Sequence, residues 1–263
     1  MYLKCSRGVV ALTIYLCCVH FCVGQFLTFR NYEPAPTQPP LPFPPCRADN
    51  LQCLRRGLRT FFFLMDSRHL GMTPVDPMIL NSVTVAVPYE QMSFLLRKVN
   101  VTGARWTKLE DRKFNLQNGK NGVIFKSDLH VVGEITMMLS GRSDPFVSYL
   151  TMELNDVETN ITYSWSGQRG YDNEDYILIG QERIAVRNSK TPLFYLQPNF
   201  INSDNETIGG TEDAYMIEEV LTTKSAILDY LSNEVTIALM HTVVDNFRLF
   251  ANQVPVKNFY LYS

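Results

Sequence analysis

The sequence predicts an α+β domain in which a run of antiparallel strands is covered by one long C-terminal helix. Three observations carry that expectation. From Val83 onward apolar and polar residues alternate, as in Val83, Val85 and Val87 against Ser82, Thr84 and Ala86, the period of a strand with one buried face. The segment from Thr211 to Val254 contains neither Gly nor Pro and is bounded by Gly209-Gly210 and Pro255, as an uninterrupted helix requires. Two cysteines, Cys46 and Cys53, stand directly before an amphipathic segment and the turn Gly71-Met72-Thr73-Pro74-Val75-Asp76-Pro77.

The chain opens with Lys4 and Arg7, an apolar stretch from Val9 to Val23, and Cys22-Val23-Gly24 before Gln25. That is the layout of a secretory leader, so residues 1–24 are read as a cleaved signal peptide and the protein as secreted and extracellular. A membrane anchor would need about twenty apolar residues with stronger flanks. No later apolar run is long enough to cross a bilayer, and no integral membrane segment is expected after cleavage. Four of the six cysteines (Cys5, Cys17, Cys18, Cys22) leave with the leader. The remaining pair, Cys46 and Cys53, is expected to form one bridge, whose short loop stabilises by about 2–3 kcal/mol in the chain-entropy model. No further Cys or paired His stands near them, so a metal site is not expected.

Three sequons, at Asn100, Asn160 and Asn205, fit passage through the secretory route and would place those residues at the surface as glycan acceptors. The formal net charge is −2, and loss of Lys4 and Arg7 makes it two units more negative. With no basic cluster there is no electrostatic footprint for nucleic acid and no polybasic segment to hold an anionic membrane.

Residues 25–45 form a spacer. From Glu33 to Pro45 the chain is proline-rich, which removes hydrogen-bond donors and favours an extended polyproline conformation over packing. Modules that read such segments are mostly intracellular, which argues against a docking motif here. Leu51, Leu54, Leu58, Phe61, Phe62 and Met65 then recur at three- and four-residue intervals, with Arg55, Arg56 and Arg59 opposite, the period of a helix that packs one face inward. Pro74 and Pro77 forbid its continuation, and Asp76 between them can accept from backbone donors in the turn.

Candidate strands follow at hairpin spacing: 95–101, 105–116, 123–131, 134–139, 146–154, 161–166, 176–179 and 183–187. The stretches Asn118-Gly119-Lys120-Asn121-Gly122 and Gly141-Arg142-Ser143-Asp144-Pro145 are chain-reversing sequences of the sort that join adjacent antiparallel strands. A meander is the simplest topology. Several strands are aromatic or aliphatic on one face, as in Ile161, Tyr163 and Trp165, and so need cover. The C-terminal segment supplies it. Apolar residues occur around most of its girth, which marks a helix wrapped by its neighbours. If continuous from Lys224 to Asn252 it would be about 43 Å long, with Thr222-Thr223 separating it from a shorter acidic turn upstream. Asp245 is expected to point outward, because a lone buried carboxylate is costly.

The order of these parts resembles the insect takeout and juvenile hormone-binding proteins, secreted members of a wider superfamily of tubular lipid-binding proteins. The resemblance covers most of the chain beyond the leader. It rests on the spacing of Cys46 and Cys53, on Leu54 to Leu64 as a first helix, and on Leu70-Gly71-Met72-Thr73-Pro74-Val75-Asp76-Pro77-Met78 as a Gly-Ile-Pro-x-x-Asp-Pro-Leu turn. Leu129-His130-Val131-Val132-Gly133-Glu134-Ile135 is similar to the family's Leu-x-x-x-Gly-x-Tyr strand, and a long C-terminal helix ends in Phe247-Arg248-Leu249-Phe250-Ala251. Ile135 in place of an aromatic, the lack of a tryptophan near the helix start and the added spacer make it a divergent member.

The resemblance implies a strongly curved antiparallel sheet wrapped around the long helix, enclosing an elongated apolar tunnel within residues 46–263. It implies a carrier that sequesters a hydrophobic small molecule, such as a terpenoid hormone, a fatty acid or a similar lipid, with a receptor or carrier protein as a further partner and a link to insect feeding, circadian or hormone physiology. The residue pattern leads to the same shape, since an aromatic sheet face over a helix apolar all round leaves a space that binds by removing apolar surface from water. The expected lining is Trp106, Phe125, Tyr149, Tyr163 and Trp165 from the strands, with Leu231, Val235 and Leu239 from the helix. A different class remains open: an interaction protein on the same fold with its tunnel packed shut.

No catalytic constellation or cofactor motif competes. Gly141-Arg142-Ser143-Asp144-Pro145 has Pro where a nucleophile elbow needs its second Gly, and it joins two strands instead of opening a helix. His69, His130 and His241 lie in different elements and read as surface or packing residues. Asp172-Asn173-Glu174-Asp175 lacks the alternate spacing and distal Glu of a calcium loop and reads as a solvated hairpin tip. The protein is therefore not expected to be an enzyme.

Overall fold

Cys46–Arg47 form a short strand β1, and Leu51–Asp66 form helix α1, capped at its start by the Asn50 side chain, which accepts from the Cys53 amide at 3.0 Å. The Cys46–Cys53 disulfide closes the loop between them, with its Cα atoms 5.6 Å apart. The structure is a computed structural model that describes residues 41–115, 120–202 and 204–261. The expected leader, the spacer up to residue 40 and the Asn118-Gly119 part of the expected turn lie outside the described residues. The last residues of the proline-rich segment pack instead of standing free: Leu41 and Phe43 lie against the core, with Phe43 beside Gly57 of α1.

The sheet is antiparallel throughout. Its strands are β2 (Met78–Val87), β3 (Met92–Thr102), β4 (Lys108–Asn115), β5 (Lys120–Leu139), β6 (Phe146–Arg169), β7 (Asp175–Asn188) and β8 (Leu193–Gln197). They run in the order β2-β3-β5-β6-β7, with β4 beside the first part of β5 and β8 beside the first part of β6. A small hairpin, β9 (Phe200–Ile201) with β10 (Thr207–Ile208), leads to helix α2 (Thr211–Thr223) and then α3 (Ser225–Gln253). The expected break falls at Lys224, whose φ of −119° and ψ of 67° leave the helical region. The chain closes with β11 (Tyr260–Leu261), which pairs in parallel with β1. The sheet curls into a half-barrel, and α3 packs on both of its edge strands, β7 and β2, filling the trough between them.

Apart from β4, which begins at Lys108 where the sequence reading starts a strand at 105, the strands are longer than the sequence predicts. Segments 123–131 and 134–139 are one strand, as are 146–154 with 161–166 and 176–179 with 183–187. Each expected gap contains a β-bulge or the residue opposite one. Lys98 and Val99 of β3 stand against Gly133 alone, Asn155 and Asp156 of β6 against Asp128, and Gly180 and Gln181 of β7 against Ser164. Two residues opposite one bend the strand and increase its twist, and these bulges, with a fourth at Glu110 of β4, curl the sheet. Lys98 and Asp156 take the left-handed conformation at φ 50° and 59°, and the Asp128 carboxylate accepts from the Asp156 amide at 2.8 Å. Gly133 allows the close approach at the first bulge, since a Cβ there would stand 3.0 Å from the Arg97 carbonyl oxygen and 3.2 Å from Val99 Cα.

The Gly71–Pro77 turn is fastened to both layers. Asp66, at the end of α1, accepts from the Val75 and Asp76 amides at 3.1 and 3.0 Å and pairs with Arg105 at 2.9 Å. Asp76 accepts from the amides of Gly103 and Arg105, beyond the turn rather than within it, at 3.2 and 2.9 Å. From the other side Asn246 of α3, 3% exposed, accepts from the Thr73 amide and donates to the Thr73 carbonyl, both at 2.7 Å. This explains a polar residue in an otherwise apolar helix, because buried backbone groups need partners. Asp245, one residue earlier, points outward and pairs with Arg248.

Candidate functional site

At the end of the trough nearest the disulfide, sheet and helices do not meet, and a cavity of about 220 Å³ lies between them. Its walls come from four places. Helix α1 supplies Leu54, Gly57, Leu58 and Phe61. The sheet supplies Leu109, Val123, Phe125 and Ile161, with Ile177 and Ile179 from β7. The last turns of α3 add Val243, Val244, Phe247 and Phe250, and the paired strands β1 and β11 with the residues before them add Phe43, Cys46, Phe259 and Tyr260. Phe61, Phe247, Phe250 and Phe259 touch edge to face, with centroids 5.2–6.0 Å apart, the favoured geometry of aromatic pairs. The disulfide therefore holds α1 and the paired β1 and β11 as one apolar cap over the cavity.

Three polar side chains share one wall. Asn121 of β5 pairs in register with Tyr163 of β6, and Trp165 stands two residues along on the same face. Asn121 is 8% exposed, and its Oδ1 has no hydrogen-bond partner; neither does the buried Nε1 of Trp165. Desolvation, with a smaller contribution from Tyr260, pushes the Tyr163 hydroxyl well above the ordinary tyrosine range, so it stays un-ionised. None of the side chains lining the cavity carries a formal charge.

Of the residues the sequence singles out, the fold brings Phe125, Tyr163 and Trp165 to the cavity. Trp106 does not reach it: it lies in the turn after β3, 58% exposed, with the Arg59 guanidinium 5.5 Å from its ring centroid. Tyr149 is on the outer face, stacked on Phe200 at 3.8 Å. The bulge at Asn155–Asp156 is the reason. Before it the even-numbered residues of β6 face inward (Ser148, Leu150, Met152, Leu154), after it the odd-numbered ones (Val157, Thr159, Ile161), and a one-residue shift reverses every side chain. Leu231, Val235 and Leu239 are 0% exposed in packed core along the earlier turns of α3, away from the cavity wall. The contributions of α1, Val243, Val244 and the residues around β1 and β11 are absent from the sequence reading. Their signal is the disulfide itself, which places α1 beside the paired β1 and β11.

Of the sequons, Asn160 and Asn205 are exposed, whereas Asn100 is half-buried with its Oδ1 enclosed and unpartnered. The acidic segment at 172–175 forms the β6–β7 tip, where Asp172 accepts from the Glu174 amide at 3.1 Å and the Tyr176 hydroxyl at 2.6 Å. That second bond, more than any other cause, holds the Asp172 carboxyl below its usual range and pushes Tyr176 up to about 12. Among the described residues no three potential metal ligands stand together, and no helix is long and apolar enough to cross a membrane.

One edge of the cavity is a seam between β7 and α3 closed by charge. The side chain of Glu182 is 7% exposed and pairs with Arg248 and with His241, the latter at 2.6 Å. Arg248 also donates to the carbonyls of Ile179 and Gly180 at 3.4 and 2.8 Å. Desolvation acts to raise the Glu182 carboxyl, but the hydrogen bonds from Arg248, the backbone and His241 together outweigh it and hold it below the ordinary 4.5. A carboxyl depressed on folding contributes stability that is complete above its unfolded-state value and is lost as pH falls through its folded-state value. Glu182→Gln is therefore expected to lower unfolding stability at neutral pH, with the gap to wild type closing as pH drops below about 4.5. Urea unfolding across pH checks this; parallel curves would show that the seam contributes nothing.

No family model matches the chain. It is similar to the juvenile hormone-binding protein of Manduca sexta, at 25% identity over 167 residues, 61% of this chain and 71% of that protein. Its fold is similar to the crystal structure of Takeout 1 from Epiphyas postvittana, with a TM-score of 0.66 and 13% identity over 80% of this chain and 96% of that one. The second likeness speaks for the fold, and the first adds a sequence relation over 167 residues. Together they make this chain similar in sequence to a juvenile hormone-binding protein and similar in fold to Takeout 1.

Proposed function

We infer that the protein is a secreted carrier, which takes one hydrophobic small molecule into the space between sheet and helices and releases it without covalent change. The observation that carries this reading is the apolar cavity of about 220 Å³, since burying apolar surface there is worth about 25 cal/mol per Å². The Manduca sexta relative is, by its name, a protein that binds juvenile hormone, which supports a terpenoid, fatty acid or similar lipid as the guest. In this reading residues 1–24 are the leader, 25–45 the spacer and 46–263 the binding domain, with glycans at the exposed Asn160 and Asn205. A receptor or second carrier would receive the loaded protein.

Purified protein is expected to displace N-phenyl-1-naphthylamine from water with a rise in fluorescence, and to release a lipid on organic extraction or in native mass spectrometry. Protein that stays folded yet binds no probe and carries no lipid would leave the alternative, an interaction protein with a closed interior.

A further inference from the structure

We propose that the guest is compact: an apolar body of about nine carbons, of medium-chain or monoterpenoid size, which fills the cavity up to a plug formed by Leu239. The buried part of any longer chain ends at the same plug. The proposal rests on the carrier reading and narrows it. Volume sets the first limit. An apolar protein cavity of about 150 Å³ takes up benzene, a body of six carbons, so one of about 220 Å³ encloses about nine on the same scale. Pockets that enclose larger organic ligands run from about 300 Å³ upward.

Packing sets the second limit, because the trough beyond the cavity holds no space into which a longer guest could extend. On α3 the residues Leu231, Val235, Leu239 and Val243 follow one another at four-residue steps along one face, and only Val243 belongs to the wall. The other three are 0% exposed. On β6 the inner face passes from Ile161 in the wall to Thr159 and Val157, at 0% and 1%. Farther into the core, Phe94, Ile135, Met137 and Met152 are also 0% exposed. A side chain with no exposed surface has no void beside it large enough for a water, so helix and sheet meet there without a gap. The helix residue that closes the cavity is therefore Leu239, one turn before Val243. On another side the cavity is partly open, and the excess length of a long guest emerges there into water. N-phenyl-1-naphthylamine seats its naphthyl group in the same way and leaves its phenyl ring at the opening.

The test is competition of hexanol, octanol, decanol and dodecanol against N-phenyl-1-naphthylamine, on wild type and on Leu239→Ala. From hexanol to octanol, affinity is expected to rise about fourfold per methylene, the transfer worth of each newly buried CH2. From decanol to dodecanol it is expected to rise less than about twofold in all, since the added carbons lie outside. Leu239→Ala removes the plug and is expected to restore a rise of about fourfold or more between decanol and dodecanol. A fourfold step per methylene that continues through dodecanol in wild type, or alkanols that do not displace a bound probe, would overturn the proposal while leaving the carrier reading intact. A break at the same chain length in folded Leu239→Ala would overturn Leu239 as the plug. Wild type by itself decides the size limit where the variant does not fold. Failure of the probe and of every alkanol would overturn the carrier reading itself.

Discussion

Replacing Val244 by phenylalanine is expected to reduce affinity for N-phenyl-1-naphthylamine by at least about a hundredfold, a loss near 2.7 kcal/mol. Val244 is 6% exposed and forms part of the cavity wall on the last turns of α3. A benzyl group there extends into the void, filling the space a guest would take, and it brings no polar atom that would need a partner. Overpacking of a well-filled core costs about 1–3 kcal/mol, but this side chain has room on one side. Urea unfolding is therefore expected to stay within about 1.5 kcal/mol of wild type. Fluorescence titration and unfolding on the same sample separate the two effects. Undiminished probe binding by a folded variant would show that the guest lies elsewhere.

Leu231→Ala is expected to behave in the opposite way, with a loss of about 2–5 kcal/mol in unfolding stability and no change in probe affinity at temperatures where the variant is folded. Leu231 is 0% exposed near the start of the same helix, away from the cavity wall. It belongs to one core cluster with Phe94, Leu96, Ile135, Met137, Leu150 and Met152 of the sheet, each at most 1% exposed. Truncation leaves a hole that these neighbours close only in part, and the lost contacts add to the lost transfer energy. If the variant were as stable as wild type, or if probe affinity fell with it, the division of α3 into a packed half and a hollow half would be wrong.

Local patterns were enough for the helices and the covalent link. The 3.6-residue spacing of Leu51 to Met65, the Gly- and Pro-free stretch from Thr211 to Val254 and the break beside Thr222-Thr223 all appear in the fold within a few residues. So do the pairing of Cys46 with Cys53 and the outward Asp245. These depend on residues close in sequence, where spacing and turn chemistry act directly. The strands were legible as strands but not as continuous ones, because a bulge interrupts the period of two in the same way as a loop. Whether Asn155–Asp156 ends a strand or bends it depends on Asp128 across the sheet, 28 positions away in the chain.

The sequence by itself determined a sheet-and-helix protein with a disulfide-tied first helix, a proline turn and an apolar interior. Only the tertiary structure decided which side chains face that interior and where it is hollow. Tyr149 and Tyr163 look alike in their local alternation, yet a single bulge sends one outward onto Phe200 and the other inward to the cavity. The hollow is likewise no property of any segment. It is the difference between the space enclosed by a sheet bent at its bulges and the volume of side chains from α1, α3 and the paired β1 and β11, and such a difference exists only once all of them are in place.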